Sequence, residues 1–100
     1  MSQNRQHARF DFVADVEVET ETGTHPGTTV NISQGGALLQ TTAPCGFGEK
    51  LTLHIDLPGV KDTCQIPCIV RWSKDGDSLG VQFETLRAIE VWAINRLKRV

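Results

Sequence analysis

The sequence has no apolar run near the roughly 20 residues that a membrane span requires. Its first ten residues, MSQNRQHARF, lack the apolar block of a secretory signal. A cytoplasmic protein without membrane insertion is therefore expected. Cysteine is scarce: Cys45, Cys64 and Cys68 are an odd count and cannot all pair within one chain. Cys64 and Cys68, four apart in CQIPC, fall on one face of a strand. They read as small buried thiols, since a structural zinc site normally takes four ligands at closer spacing. An excess of positive charge is also missing. The net charge of −2 speaks against a general nucleic-acid binder, whose affinity comes mainly from neutralising phosphates. The aromatic content of 6% leaves few rings for a single-strand stacking groove. No catalytic set emerges. His7, His25 and His54 are scattered, Ser33 has no evident base, and nothing near Cys45 would activate its thiol. Neither an enzyme nor a bound cofactor is expected.

One hundred residues fit one domain, one that buries only about 60–65% of the surface its unfolded chain exposes. Charge is unevenly spread. Residues 1–10 carry Arg5, His7 and Arg9 and no acid, whereas residues 11–21 carry Asp11, Asp15, Glu17, Glu19 and Glu21 and no base. A short basic arm on a mildly acidic body suits a small anionic partner better than a long polyanion.

Most of the chain has period two. In FDFVADVEVET, Phe10, Phe12, Ala14, Val16 and Val18 share one face. TGTHPG then has turn chemistry, and a second strand is expected from about Thr28 to Ile32. ALLQT, LTLHIDL, CQIPCIVRW and SLGVQF supply four more strands, separated by the polar or glycine-rich breaks APCGFGE, PGVKDT and SKDGDS. Pro67 is expected at an edge or bulge because it has no ladder donor. By parity Trp72 points inward with Ile66, Cys68 and Val70. From Thr85 the period changes: LRAIEVWAINRLKRV has no Gly or Pro and places Leu86, Ile89, Ala93, Leu97 and Val100 on one helical stripe. Trp92 and Val91 lie off it, either widening the buried face or exposed for a partner. The expected architecture is all-β with a C-terminal helix: an arm over 1–9, a six-stranded antiparallel barrel over 10–83, and a helix over 85–100.

Two features have no folding explanation at this level. One is Arg5-x-x-x-Arg9 just before the first strand. The other is NISQGG, residues 31–36, which follows the second strand. With IVRW, a polar turn, LGVQF and a terminal helix downstream, this order resembles the PilZ domain over essentially the whole chain, including its split-barrel Greek-key form. The resemblance implies a bacterial receptor for cyclic di-GMP that acts through an unidentified downstream protein in motility, adhesion or exopolysaccharide control. It assigns the ligand to Arg5, Arg9, Asn31, Ser33 and Gly36, with Asn4, Gly35 and Trp72 as further candidates. A PilZ-like adaptor that binds no nucleotide is the alternative.

The chemistry of these residues agrees with that assignment. Guanine presents O6 and N7 side by side, and an arginine fork matches the pair. The same guanidinium can pair with phosphate or stack on a base. Asn31 and Ser33 alternate with Ile32, so both polar groups are expected on one side. Gly36, without Cβ, allows close approach or positive φ. Many relatives have aspartate where Asn31 stands, and asparagine keeps the acceptor. Several have a further arginine where Asn4 stands. One ligand molecule and a stacked pair are both open, and the pair is the preferred reading.

Overall fold

A computed structural model of the chain describes residues 9–97. It contains β1 (Phe10–Asp11), β2 (Asp15–Thr20), β3 (Gly23–Ile32), β4 (Gly36–Thr41), β5 (Lys50–Ile55), β6 (Cys64–Lys74), β7 (Ser78–Phe83) and α1 (Ala88–Asn95). Strands β3, β2, β5, β6, β7 and β4 follow one another around an antiparallel sheet, and β4 pairs back onto β3. The sheet is thus a closed six-stranded barrel, as expected. Closure leaves no long unpaired edge. Alternate residues fill the interior: Val18, Leu53, Ile66, Val70, Leu39 and Ile32 are fully buried. Cys64 and Cys68 are free thiols within that core.

The expected first strand is broken in two. Asp11 pairs with Asn31 and Asp15 with Thr28, so three residues, 12–14, stand opposite two, Thr29 and Val30. Buried Thr29 holds this irregularity together. Its backbone N–H donates to Ala14 O at 2.9 Å. Its hydroxyl donates to Phe12 O and accepts from Ala14 N–H at 3.0 Å. A β-branched hydroxyl residue in the core would otherwise leave a costly unpaired group.

The second strand is longer than the sequence pattern suggests. The reversal falls at Glu21–Thr22, and β3 already includes His25 and Pro26, opposite Val18 and Glu17. Pro26 is tolerated because β4 pairing begins only at Gly27, and its carbonyl accepts from the Thr41 hydroxyl at 2.7 Å. Pro67 uses the same arrangement. It pairs with Thr52, one residue beyond the last β6–β7 pair, Cys68 with Phe83, and its carbonyl accepts from Glu84 N–H at 2.8 Å. Each missing N–H thus faces a side where the neighbouring ladder has ended.

The helix differs most from its expected form. It spans Ala88–Asn95 rather than beginning at Thr85, and Lys98, Arg99 and Val100 lie outside the described residues. Its buried residues are Glu90, Ala93 and Ile94, while Ile89 is 42% exposed. The helical stripe is therefore rotated onto a carboxylate. Glu90 is accommodated because Oε1 accepts from Arg87 N–H at 2.8 Å and Oε2 from Arg87 Nε at 2.9 Å. An acid in the first turn also suits the positive end of the helix dipole. Trp92 clips the helix to the β5–β6 turn. Gly59 there has φ +87°, and a Cβ on it would sit 2.8 Å from Trp92 Cζ3. The Arg96 guanidinium covers the indole at 4.7 Å from the ring centroid.

Candidate functional site

The pairing of β1 with the end of β3 brings Arg9, the last residue of the first motif, to Asn31, the first of the second. Phe10 stands opposite Ile32 and Asp11 opposite Asn31, which sets Arg9 beside the start of NISQGG. Arg9 Nη1 donates to Asn31 Oδ1 at 2.7 Å, across 22 positions of sequence. Among the described residues, one side-chain oxygen holds the guanidinium, which has five N–H donors in all. Asn4, Arg5 and His7 lie outside the described residues.

Ser33 and Gly36 are both engaged within the barrel. Ser33 is buried rather than displayed beside Asn31. Its Oγ accepts from the N–H groups of Gly35 at 3.1 Å and Gly36 at 3.3 Å. Its own N–H donates to Gly36 O at 2.8 Å. The hydroxyl thus closes the turn from within. Gly36 does not adopt positive φ. A Cβ there would lie 2.0 Å from Val81 O, so the close approach it permits is to the backbone of β7. Gly35 O accepts from Phe83 N–H at 2.9 Å, which fixes the turn to the end of the same strand.

Trp72 also departs from its parity. In β6, Val70 pairs with Val81 and Trp72 with Gly80, so Arg71 is an extra residue. That bulge turns the indole outward, and Trp72 is 51% exposed. A matching irregularity lies in β3, where Thr29 pairs with Leu39 and Asn31 with Leu38 across an extra Val30. Just past both bulges, a single row crosses the outside of the wall: Asn31, Leu38, Gly80 and Trp72 are successive cross-strand partners. Three strand spacings separate Asn31 from Trp72, about 14 Å. The Trp72 ring lies on Gly80, where a Cβ would meet Trp72 Cε3 at 3.6 Å. Arg71 Nε donates to Gln82 Oε1 at 2.7 Å beside this row. Leu38, Gly80, Arg71 and Gln82 were not singled out from the sequence. Their grouping depends on the two bulges, which carry no local signal.

The face is open and carries cationic, carboxamide, apolar and aromatic groups in order. A separate concavity of about 1100 Å³ contains none of these residues. Its lining includes Asp15, Glu17, Asp56 and Asp77, a charge set that repels a phosphate. An anionic ligand is therefore disfavoured in this hollow.

The PilZ domain family model matches residues 3–99. The chain belongs to the PilZ domain family. PilZ domains are cyclic di-GMP receptors and act as binding and adaptor domains. Among solved structures, the chain is similar to the Bacillus subtilis inhibitor of motility MotI/DgrA, with TM-score 0.72 and 28% identity. That likeness covers 93% of this chain and 48% of MotI/DgrA, so the chain spans about half the length of that protein. It is also similar to the PilZ domain of CeSA from a cellulose-synthesizing bacterium, with TM-score 0.68 and 18% identity, covering 88% of this chain and 91% of that domain. A search of curated proteins finds no match. Among the described residues, no helix of this PilZ domain is long and apolar enough to cross a membrane.

Proposed function

We propose that this PilZ domain binds cyclic di-GMP on the barrel's outer wall, between the Arg5-x-x-x-Arg9 segment and the Asn31 end of NISQGG, and signals through a partner protein. The observation that carries this reading is the Arg9–Asn31 hydrogen bond at 2.7 Å, which unites the motif halves. The Arg9 guanidinium has the donor fork that suits guanine O6 and N7 or phosphate. Asn31 offers its amide N–H to a base or ribose oxygen. Trp72 supplies an exposed ring on which a guanine can stack, a contact worth about 1–3 kcal/mol per base. Arg5 is included by motif alone, and Asn4 is a weaker contact from the same segment. Ser33, Gly35 and Gly36 serve by shaping the turn that presents Asn31.

Ligand would draw the segment before β1 onto the wall, and a second protein would read the altered surface. The chain itself performs no catalysis in this reading. Motility or exopolysaccharide control is the proposed output. It is supported by likeness to an inhibitor of motility and to a domain from a cellulose-synthesizing bacterium.

A second reading, an adaptor that binds no nucleotide, has one observation in its favour. Ser33 and Gly36 are both required by the barrel itself, so their presence does not by itself mark a ligand site. Calorimetric titration with cyclic di-GMP, beside a short oligonucleotide, separates the readings. Binding of the dinucleotide alone is expected, and its stoichiometry distinguishes one molecule from a stacked pair. No heat with cyclic di-GMP at millimolar concentration would leave the adaptor reading standing.

A further inference from the structure

Gln34 is a spacer position in the motif, yet its side chain reaches out of the turn. Its Nε2 donates to Asn95 Oδ1 at 2.7 Å, across 61 positions of sequence, in the last turn of α1. We infer that Gln34 and Asn95 are positioning residues for the cyclic di-GMP site, through which the C-terminal helix holds the tip of the motif turn. This rests on the binding function proposed above.

The turn is anchored at its base by the barrel and at its tip by the helix. The base is fixed by Gly36 against Val81 and by Gly35 O to Phe83 N–H. Ser33 braces it from inside. Gln34 is the residue at the tip, and α1 is its support. The helix can bear that role because it is fixed independently. Ala93 and Ile94 are fully buried, and Trp92, three residues before Asn95, is clipped against Gly59. Asn31, which orients Arg9, is the penultimate residue of β3 and leads directly into this turn, so loosening the turn loosens the strand end that carries the carboxamide. A preformed turn spares the ligand the ordering cost.

The link is solvent-exposed, which limits its effect. Loss of one such hydrogen bond corresponds to about a three- to tenfold weaker affinity. The test uses the whole chain and the variants Gln34→Ala, Asn95→Ala, the double variant and Asn95→Asp. Titration with cyclic di-GMP is expected to show each single alanine variant weaker by that factor. The double variant is expected to be no weaker than either, because the two side chains act as one link. Amide exchange of Gly35 and Gly36, measured without ligand, is expected to accelerate several-fold in Asn95→Ala. It should return towards wild type in Asn95→Asp, whose carboxylate still accepts from Gln34. Unchanged or tighter binding by Asn95→Ala overturns the inference whatever the exchange shows. If wild type itself binds no cyclic di-GMP, the binding function falls, and the exchange rates alone decide whether the helix holds the turn. Unaltered exchange in that case overturns the inference as well.

Discussion

The Arg9 guanidinium and the Asn31 carboxamide meet at 2.7 Å beside the two-residue ladder of β1 on β3. That ladder is short, but it determines which surface Arg9 faces. It follows that the two residues act as a unit. Arg9→Ala is expected to reduce cyclic di-GMP affinity at least a hundredfold. Arg9→Lys should also weaken it at least tenfold, since an ammonium keeps charge but loses the fork. Both variants should melt near wild type, because Arg9 lies outside the barrel ladder. Calorimetry paired with thermal melts checks this, and wild-type affinity in Arg9→Ala would remove the basis for the site.

Asn31→Asp should behave differently from Asn31→Ala. Aspartate keeps the acceptor for Arg9 and adds a charge that strengthens the bond. Binding within about threefold of wild type is expected for Asp and a loss of tenfold or more for Ala, a contrast that corresponds to roughly 1–2 kcal/mol. Equal loss in both would mean that the amide donors, rather than the oxygen, make the essential contact.

Gly36→Ala should fail as a folding variant before it fails as a binding variant. The added Cβ would meet Val81 O at 2.0 Å, a contact that backbone movement between β4 and β7 must relieve. Overpacking of this kind costs about 1–3 kcal/mol, and more where the backbone itself must shift. Denaturant unfolding should show this loss in the absence of ligand. Wild-type stability in Gly36→Ala would show that β4 and β7 can separate there without cost.

Cys68 links the core to alkaline stability. Burial is the main reason its thiol is pushed up from 9.0 to about 12. Between those values the unfolded chain releases a proton that the folded chain retains. Stability conferred by this group is therefore complete below pH 9 and falls as the pH rises towards 12. Cys68→Val, which has no proton to lose, should flatten the pH dependence of unfolding in that window. Alkylation at pH 8 should reach half-buried Cys45 first and Cys68 only on unfolding.

Much of the barrel was legible because period-two alternation survives in β2, β5 and β7, where Val16, Val18, Leu51, Leu53, Ile55, Leu79 and Val81 are all buried. The two motifs were legible as residue types at fixed spacing. What escaped was set by single inserted residues and by pairing. Extra residues at Val30 and Arg71, and within 12–14, change the facing of everything beyond them without altering local composition. Pro26 read as part of a turn because nothing local reveals that β4 stops short of it. Helical spacing alone does not mark Glu90 as buried; Arg87 three residues earlier supplies the partner that lets it be so. The part Ser33 and Gly36 play in the turn also escaped, because a residue needed by the turn and one needed by a nucleotide look alike in sequence.

Trp72 is where such a bulge has the largest functional consequence. Parity places it in the core, where Trp→Ala costs about 3–5 kcal/mol. Its 51% exposure places it on the row that begins at Asn31, where the same substitution should cost stability only about 1 kcal/mol or less. Affinity for cyclic di-GMP should nonetheless fall by about 1–3 kcal/mol if a base stacks on the ring. Trp72→Phe should recover part of that loss, since a smaller π-face remains. In a Trp92→Phe background the remaining indole reports directly, and its emission should quench on ligand addition. Full stability with unchanged affinity and emission in these variants would confine the ligand to the Arg9–Asn31 end of the wall. A large loss of stability in Trp72→Ala would instead mean that the ring belongs to the core after all.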